Sequence, residues 1–74
     1  MIIRGCVEKG VEKGCLILKD MASGKDYSLH GKSLPPLGQK LVASVTGTVG
    51  GVDTCMQGSP FDVESWEWTK QRCP

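Results

Sequence analysis

The sequence predicts an all-β fold, a small barrel of five strands, and three observations predict it. Short runs rich in Val, Ile, Leu, Thr and Trp recur along nearly all of the 74 residues, glycine-centred turns separate them, and the side chains within the runs alternate between apolar and polar. A period of two places successive side chains on opposite faces of a sheet, so each run offers one face to a core. The expected strands cover about residues 2–9, 14–21, 25–30, 40–49 and 61–69 of a single domain spanning residues 1–74. A chain of this length holds one core and has no residues for a second.

Each element follows from its residues. In the first hairpin, Gly10-Val11 suits a two-residue type II′ turn, which takes Gly at its first central position. That turn sets Lys9 opposite Glu12, Glu8 opposite Lys13, Cys6 opposite Cys15 and Ile3 opposite Leu18. Ile3, Val7, Leu16 and Leu18 then share a core face, while Arg4, Cys6, Glu8, Lys13 and Cys15 share the outer one. The Glu8 and Lys13 charges attract across the strands and support the register. A second hairpin turns at Ser23-Gly24 and opposes Leu18 to Leu29, so Leu18 keeps the same face in both hairpins.

Pro35-Pro36 supplies no amide donors, so residues 31–38 read as a connector or a single helical turn, with Leu34 and Leu37 expected to plug one barrel end. The fourth strand carries Leu41, Ala43, Val45 and Val49 inward and Ser44, Thr46 and Thr48 outward. Gly47 falls on the inward face, where a missing side chain lets a strand bend or another backbone approach. A loop of small and polar residues holding Cys55 and Met56 follows. The fifth strand contradicts itself: Phe61 and Val63 point one way and Trp66 and Trp68 the other, unless a bulge near Glu64-Ser65 resets the phase.

Five strands with the sole non-strand insertion between the third and fourth match the OB-fold, a partly open Greek-key barrel. Ile3-Arg4-Gly5-Cys6-Val7, the Ser23-Gly24-Lys25 turn, and Leu37-Gly38-Gln39-Lys40 running into Val45-Thr46-Gly47-Thr48-Val49 resemble small bacterial OB-fold domains of uncharacterised function. The resemblance covers about residues 2–69 and implies a fold rather than an activity. Where a helix caps such barrels, this chain has only the proline-rich bridge.

Composition narrows the function classes. Nine Lys and Arg balance eight Asp and Glu to a net charge of +1, without the long-range field of a protein that grips nucleic acid through phosphates. No segment reaches the roughly 18 apolar residues of a membrane-spanning helix, and Met1 is followed directly by Ile-Ile-Arg-Gly-Cys, so the chain reads as cytoplasmic, or as exported if a leader has been removed.

The candidate sites are few. The four cysteines, Cys6, Cys15, Cys55 and Cys73, read either as free small residues of a reducing compartment or as disulfides, with Cys6–Cys15 and Cys55–Cys73 weighed as pairs; four cysteines allow three pairings, and the sequence does not choose. Separations of 9, 40 and 18 positions between successive cysteines, with no Cys-x-x-Cys knuckle, argue against zinc. His30 is the lone histidine and reads as a surface residue at a strand end. No catalytic constellation, metal site or cofactor site is expected. Trp66 and Trp68, with Glu64 beside them, read equally as an exposed aromatic shelf or as core residues turned inward by the bulge. The surface OB-folds usually offer to ligands falls on Lys19, Lys25, Tyr27 and His30. The sequence therefore leads to a non-enzymatic binding module, with a protein partner or a homodimer joined through a barrel face or strand edge as the first expectation. Single-stranded nucleic acid on the face of the second and third strands is the alternative, and a sugar or cationic metabolite near Trp66 and Trp68 the second alternative. No membrane partner is expected.

Overall fold

A computed structural model of the chain describes residues 1–51, 55 and 57–74. Five strands form: β1 (Ile2–Lys9), β2 (Leu16–Asp20), β3 (Asp26–His30), β4 (Leu41–Val49) and β5 (Ser59–Arg72). They close into one barrel in the order β1-β2-β3-β5-β4, with β3 and β5 parallel and every other neighbouring pair antiparallel. This is an OB-like all-β barrel, closed rather than partly open; β2 is shorter than expected at both ends, and β5 runs longer at both ends.

The core is the set of inward side chains that the alternation marks. Ile3, Leu18, Tyr27, Leu29, Ala43, Val45, Phe61 and Val63 form one buried cluster. Phe61 is fully buried at its centre, worth about 2–3 kcal/mol of transfer from water, and its ring meets Tyr27 edge-on at 5.6 Å between centroids. Val49, expected inside, is exposed because it lies at the strand's end, past Gly47. Gly47 sits where β4 turns across β5, and a Cβ there would run into the Asp62 carbonyl. Only a residue without a side chain lets the two backbones come so close.

The hairpin registers differ from expectation by even numbers of residues. Cys6 pairs with Lys19 and Val7 with Leu18, so β2 is displaced by four residues from a two-residue turn at Gly10-Val11. Cys6 and Cys15 therefore do not face each other, and Glu8 sits opposite Ile17 rather than Lys13. The chain instead makes a longer reversal closed by the Gly10 amide donating to the Cys15 carbonyl at 2.8 Å, with Gly14, not Gly10, in the left-handed region at φ 84°. Leu18 pairs with Tyr27 rather than Leu29, a displacement of two. Even displacements preserve the faces, so the core assignment survives both.

β5 resolves its own conflict. Its pairing with β4 shifts by one between Thr46/Ser65 and Gly47/Val63, leaving Glu64 as the extra residue of a bulge. Phe61 and Val63 point inward before the bulge, and Trp66 and Trp68, opposite Val45 and Ala43, point inward after it. The connector between β3 and β4 closes that end of the barrel with Leu34 and the fully buried Pro35, whereas Leu37, expected as a second plug, is 48% exposed.

Two disulfides cross this frame. Cys6 in β1 bonds Cys73, just beyond β5, and Cys15, at the start of β2, bonds Cys55 in the β4–β5 loop. The pairing is neither Cys6–Cys15 nor Cys55–Cys73. Cys6 lies on the outer face of β1, and the Cys73 amide donates to the Lys40 carbonyl, which brings the end of β5 to that face.

Candidate functional site

The face of β2 and β3 that OB-folds usually offer to ligands is buried at Ile17 and Ser28. Cys15, Ile17 and Lys19 alternate outward along β2, and Ile17 lies in a row with Ser28 of β3 and Pro60 of β5. Ile17 and Ser28 are both 0% exposed, although neither belongs to the core cluster. The Cys15–Cys55 bond holds the β4–β5 loop against the start of this face. Gln57 adds a second tie, its Oε1 accepting from the Val11 amide at 3.0 Å, and Gly58 packs against the Asp26 carbonyl. The β1–β2 and β4–β5 loops, which would flank a bound strand, are thus fastened to one another.

The residues expected on that face separate. Lys19 and Lys25 are exposed, and His30 is half-buried at the end of β3, its Nε2 3.4 Å from the Ser28 hydroxyl. Tyr27 is a correction: it is 5% exposed and belongs to the core, because it shares the inward face with Leu29. It offers no ring for stacking.

The tryptophans fit the core reading in direction, not the flat shelf. Both are half-buried and packed on the core, with their rings edge-on at 5.1 Å and 76°. The Trp66 Nε1–H donates to the Ser33 hydroxyl at 3.3 Å, which ties the connector to β5. Trp68 borders a cleft of about 250 Å³ with Val7, Leu41 and Cys73. Glu67 pairs with Ser44 on the outer surface and Glu64 is exposed on the bulge, so these carboxylates alternate with the inward-turned indoles along β5. Trp66 and Glu67 nonetheless border one open hollow with Ser44, Thr46 and Ser65. The four cysteines, joined in two separate bonds, offer no thiolate to a metal.

The exposed apolar side chains point to a different surface, one the sequence reading passed over. Ile2 (58% exposed) and Met21 (51%) border a hollow of about 510 Å³, together with Arg4, Ala22, Gln71 and Asp20. The Met21 amide donates to the Arg4 carbonyl at 2.8 Å, so the end of β2 lies beside the start of β1. Asp20 locks this arrangement. One carboxylate oxygen accepts from the Arg4 amide at 3.2 Å, and the other accepts from the Ser23 hydroxyl at 2.7 Å and the Ser23 amide at 3.2 Å. Burial pushes the Asp20 carboxyl up, but the Ser23 hydroxyl and the amides of Arg4, Ser23 and Ala22 outweigh it and hold the group below its ordinary value. Asp20 is thus an ionised, fully engaged floor to the hollow, and the exposed groups above it are aliphatic except for Arg4 and Gln71. Alternation marks Ile2 and Arg4 as outward, but only the observed β1–β2 register brings Met21 beside Arg4.

No protein-family model matches the chain, and no curated protein and no solved structure matches it. The functional reading therefore rests on geometry. No helix among the described residues is long and apolar enough to cross a membrane.

Proposed function

We propose that this domain is a non-enzymatic protein-binding module, working through the outer surface around Ile2, Arg4 and Met21, in an oxidising compartment. The observation that carries the reading is the pairing of two half-exposed aliphatic side chains, Ile2 and Met21, around one hollow on an otherwise closed barrel. Contiguous exposed apolar surface marks association sites, whereas apolar side chains scattered singly do not. Barrel closure favours a face over a strand edge, since little unpaired backbone is left to accept another strand. Two disulfides favour export over the cytoplasm, where glutathione and thioredoxin keep thiols reduced.

The nucleic-acid alternative loses its support at Tyr27, buried in the core, and at Ile17 and Ser28, covered on the face where a strand would lie. The small-ligand alternative keeps only the open hollow that Trp66 and Glu67 border, with both indoles half-buried on the core. A photo-crosslinking side chain placed at Met21 tests the proposal in the cells that make the protein. Adducts to polypeptide from Met21, absent from the same group placed at exposed Glu12 in the turn at the other end of the β1–β2 hairpin, are expected. Adducts to nucleic acid, or equal adducts from both positions, would refute it. Short single strands titrated at low salt should leave Trp66 and Trp68 emission unchanged.

A further inference from the structure

We infer that the hollow beside Arg4 receives an extended polypeptide segment presenting an aliphatic side chain next to a carboxylate. The inference rests on the protein-binding reading and names the chemistry of the partner. Ile2, Met21 and Ala22 supply an apolar wall, and Arg4 supplies the exposed cation at its border. Among the described residues no ion pair engages the Arg4 guanidinium. The nearest acid in the hollow, Asp20, has both oxygens committed to backbone amides and the Ser23 hydroxyl. Arg4 is anchored by its own backbone, whose amide donates to Asp20 and whose carbonyl accepts from Met21, so its side chain starts from a fixed point. A planar guanidinium held beside an apolar wall matches a carboxylate on a chain whose neighbouring side chain fills that wall. Gln71, at the border contributed by β5, can donate to or accept from the segment's backbone.

Two features set the occupant's size and strength. The hollow admits one or two side chains, not a folded surface, so binding is weak, with a Kd on the order of 100 µM to 1 mM. Specificity lies in the combination, since an aliphatic group without an acid leaves Arg4 unmatched and an acid without an aliphatic group leaves Ile2 and Met21 wet.

Amide chemical shifts of the full chain, titrated with acetyl-Leu-Leu-Glu-Leu-amide, test this. Shifts confined to Ile2, Arg4, Met21, Ala22 and Gln71 are expected, with affinity at least about 10-fold weaker for the Gln-containing peptide and for the Arg4→Gln protein, and partly restored in Arg4→Lys. Equal binding of the Glu and Gln peptides, shifts mapping elsewhere, or no shifts up to about 10 mM peptide would overturn the inference. Hexanoate binding as tightly as the peptide at the same amides would overturn the polypeptide in favour of a free carboxylate. Concentration-dependent shifts of the same amides without peptide would do so in favour of a second copy. If the peptide fails while Met21 still crosslinks to protein, the binding-module reading stands and only the ligand chemistry falls; if both fail, both fall.

Discussion

Removing the Cys6–Cys73 bond should bring this domain to the edge of unfolding. The bond spans 67 positions, and closing a loop of that length removes about 4.4 kcal/mol of denatured-chain entropy at 25 °C in the chain-entropy account. The second bond lies inside the first, however. With Cys15–Cys55 intact, the path from Cys6 to Cys73 in the unfolded chain shortens to the segments 6–15 and 55–73, an effective loop of roughly 27 positions, which lowers the figure to about 3.5 kcal/mol. A single core in a chain of this size nets only about 3–5 kcal/mol, so the bond contributes as much as everything else combined. The double variant Cys6→Ala, Cys73→Ala, followed by tryptophan fluorescence in urea, should lose about 3.5 M of midpoint at a slope of about 1 kcal/mol per molar. A loss below about 1 M would refute the entropic reasoning. A count of four free thiols on the native protein would refute the pairing itself.

Three further outcomes follow from particular contacts. Gly47→Ala should cost at least about 2 kcal/mol, or prevent folding, because its methyl group would meet the Asp62 carbonyl and neither backbone can retreat within the barrel; thermal unfolding of the variant checks this. Gly10→Val should cost at least about 1 kcal/mol, since a Cβ there would stand 2.8 Å from the Cys15 Cβ, and an unchanged urea midpoint would sink the claim. Asp20 has a folded pKa below its unfolded one, so its contribution is complete above the ordinary aspartate value of about 3.9 and is lost as pH falls through the lower folded value. Asp20→Asn should therefore destabilise the protein at pH 6 and flatten the acid limb of its stability curve, and parallel acid limbs in the two proteins would exclude that role.

The faces of the strands were legible because alternation is a local property, and it tolerates errors in pairing. Leu16, Leu18, Ala43 and Val45 keep their side of the sheet whether β2 slides by two residues or by four. The register was not legible at Gly10 because the chain offers two equivalent glycines, in Val7-Glu8-Lys9-Gly10 and Val11-Glu12-Lys13-Gly14, and the one that takes the left-handed conformation is Gly14. The bulge at Glu64 could be seen as a clash of phase within one strand. The inward placement of Tyr27 could also have been seen, since it stands two residues from Leu29 and must share its face. The disulfide pairing lay out of reach, because it depends on how far β5 runs along β4 before its end meets β1. The hollow beside Arg4 was hidden for the same reason: Arg4 and Met21 are 17 positions apart and become neighbours only through the four-residue displacement of β2.

The outer bond also decides how the domain answers to mechanical load. A pull applied before Cys6 and after Cys73 loads only the Ile2–Gly5 rungs of β1 on β4 and then passes from sulfur to sulfur, so about 230 Å of contour length, at roughly 3.4 Å for each of the 67 intervening positions, stays in reserve. Placed between two other modules, this barrel would behave as an inextensible bead, yielding its hidden slack only once a reductant had opened the link.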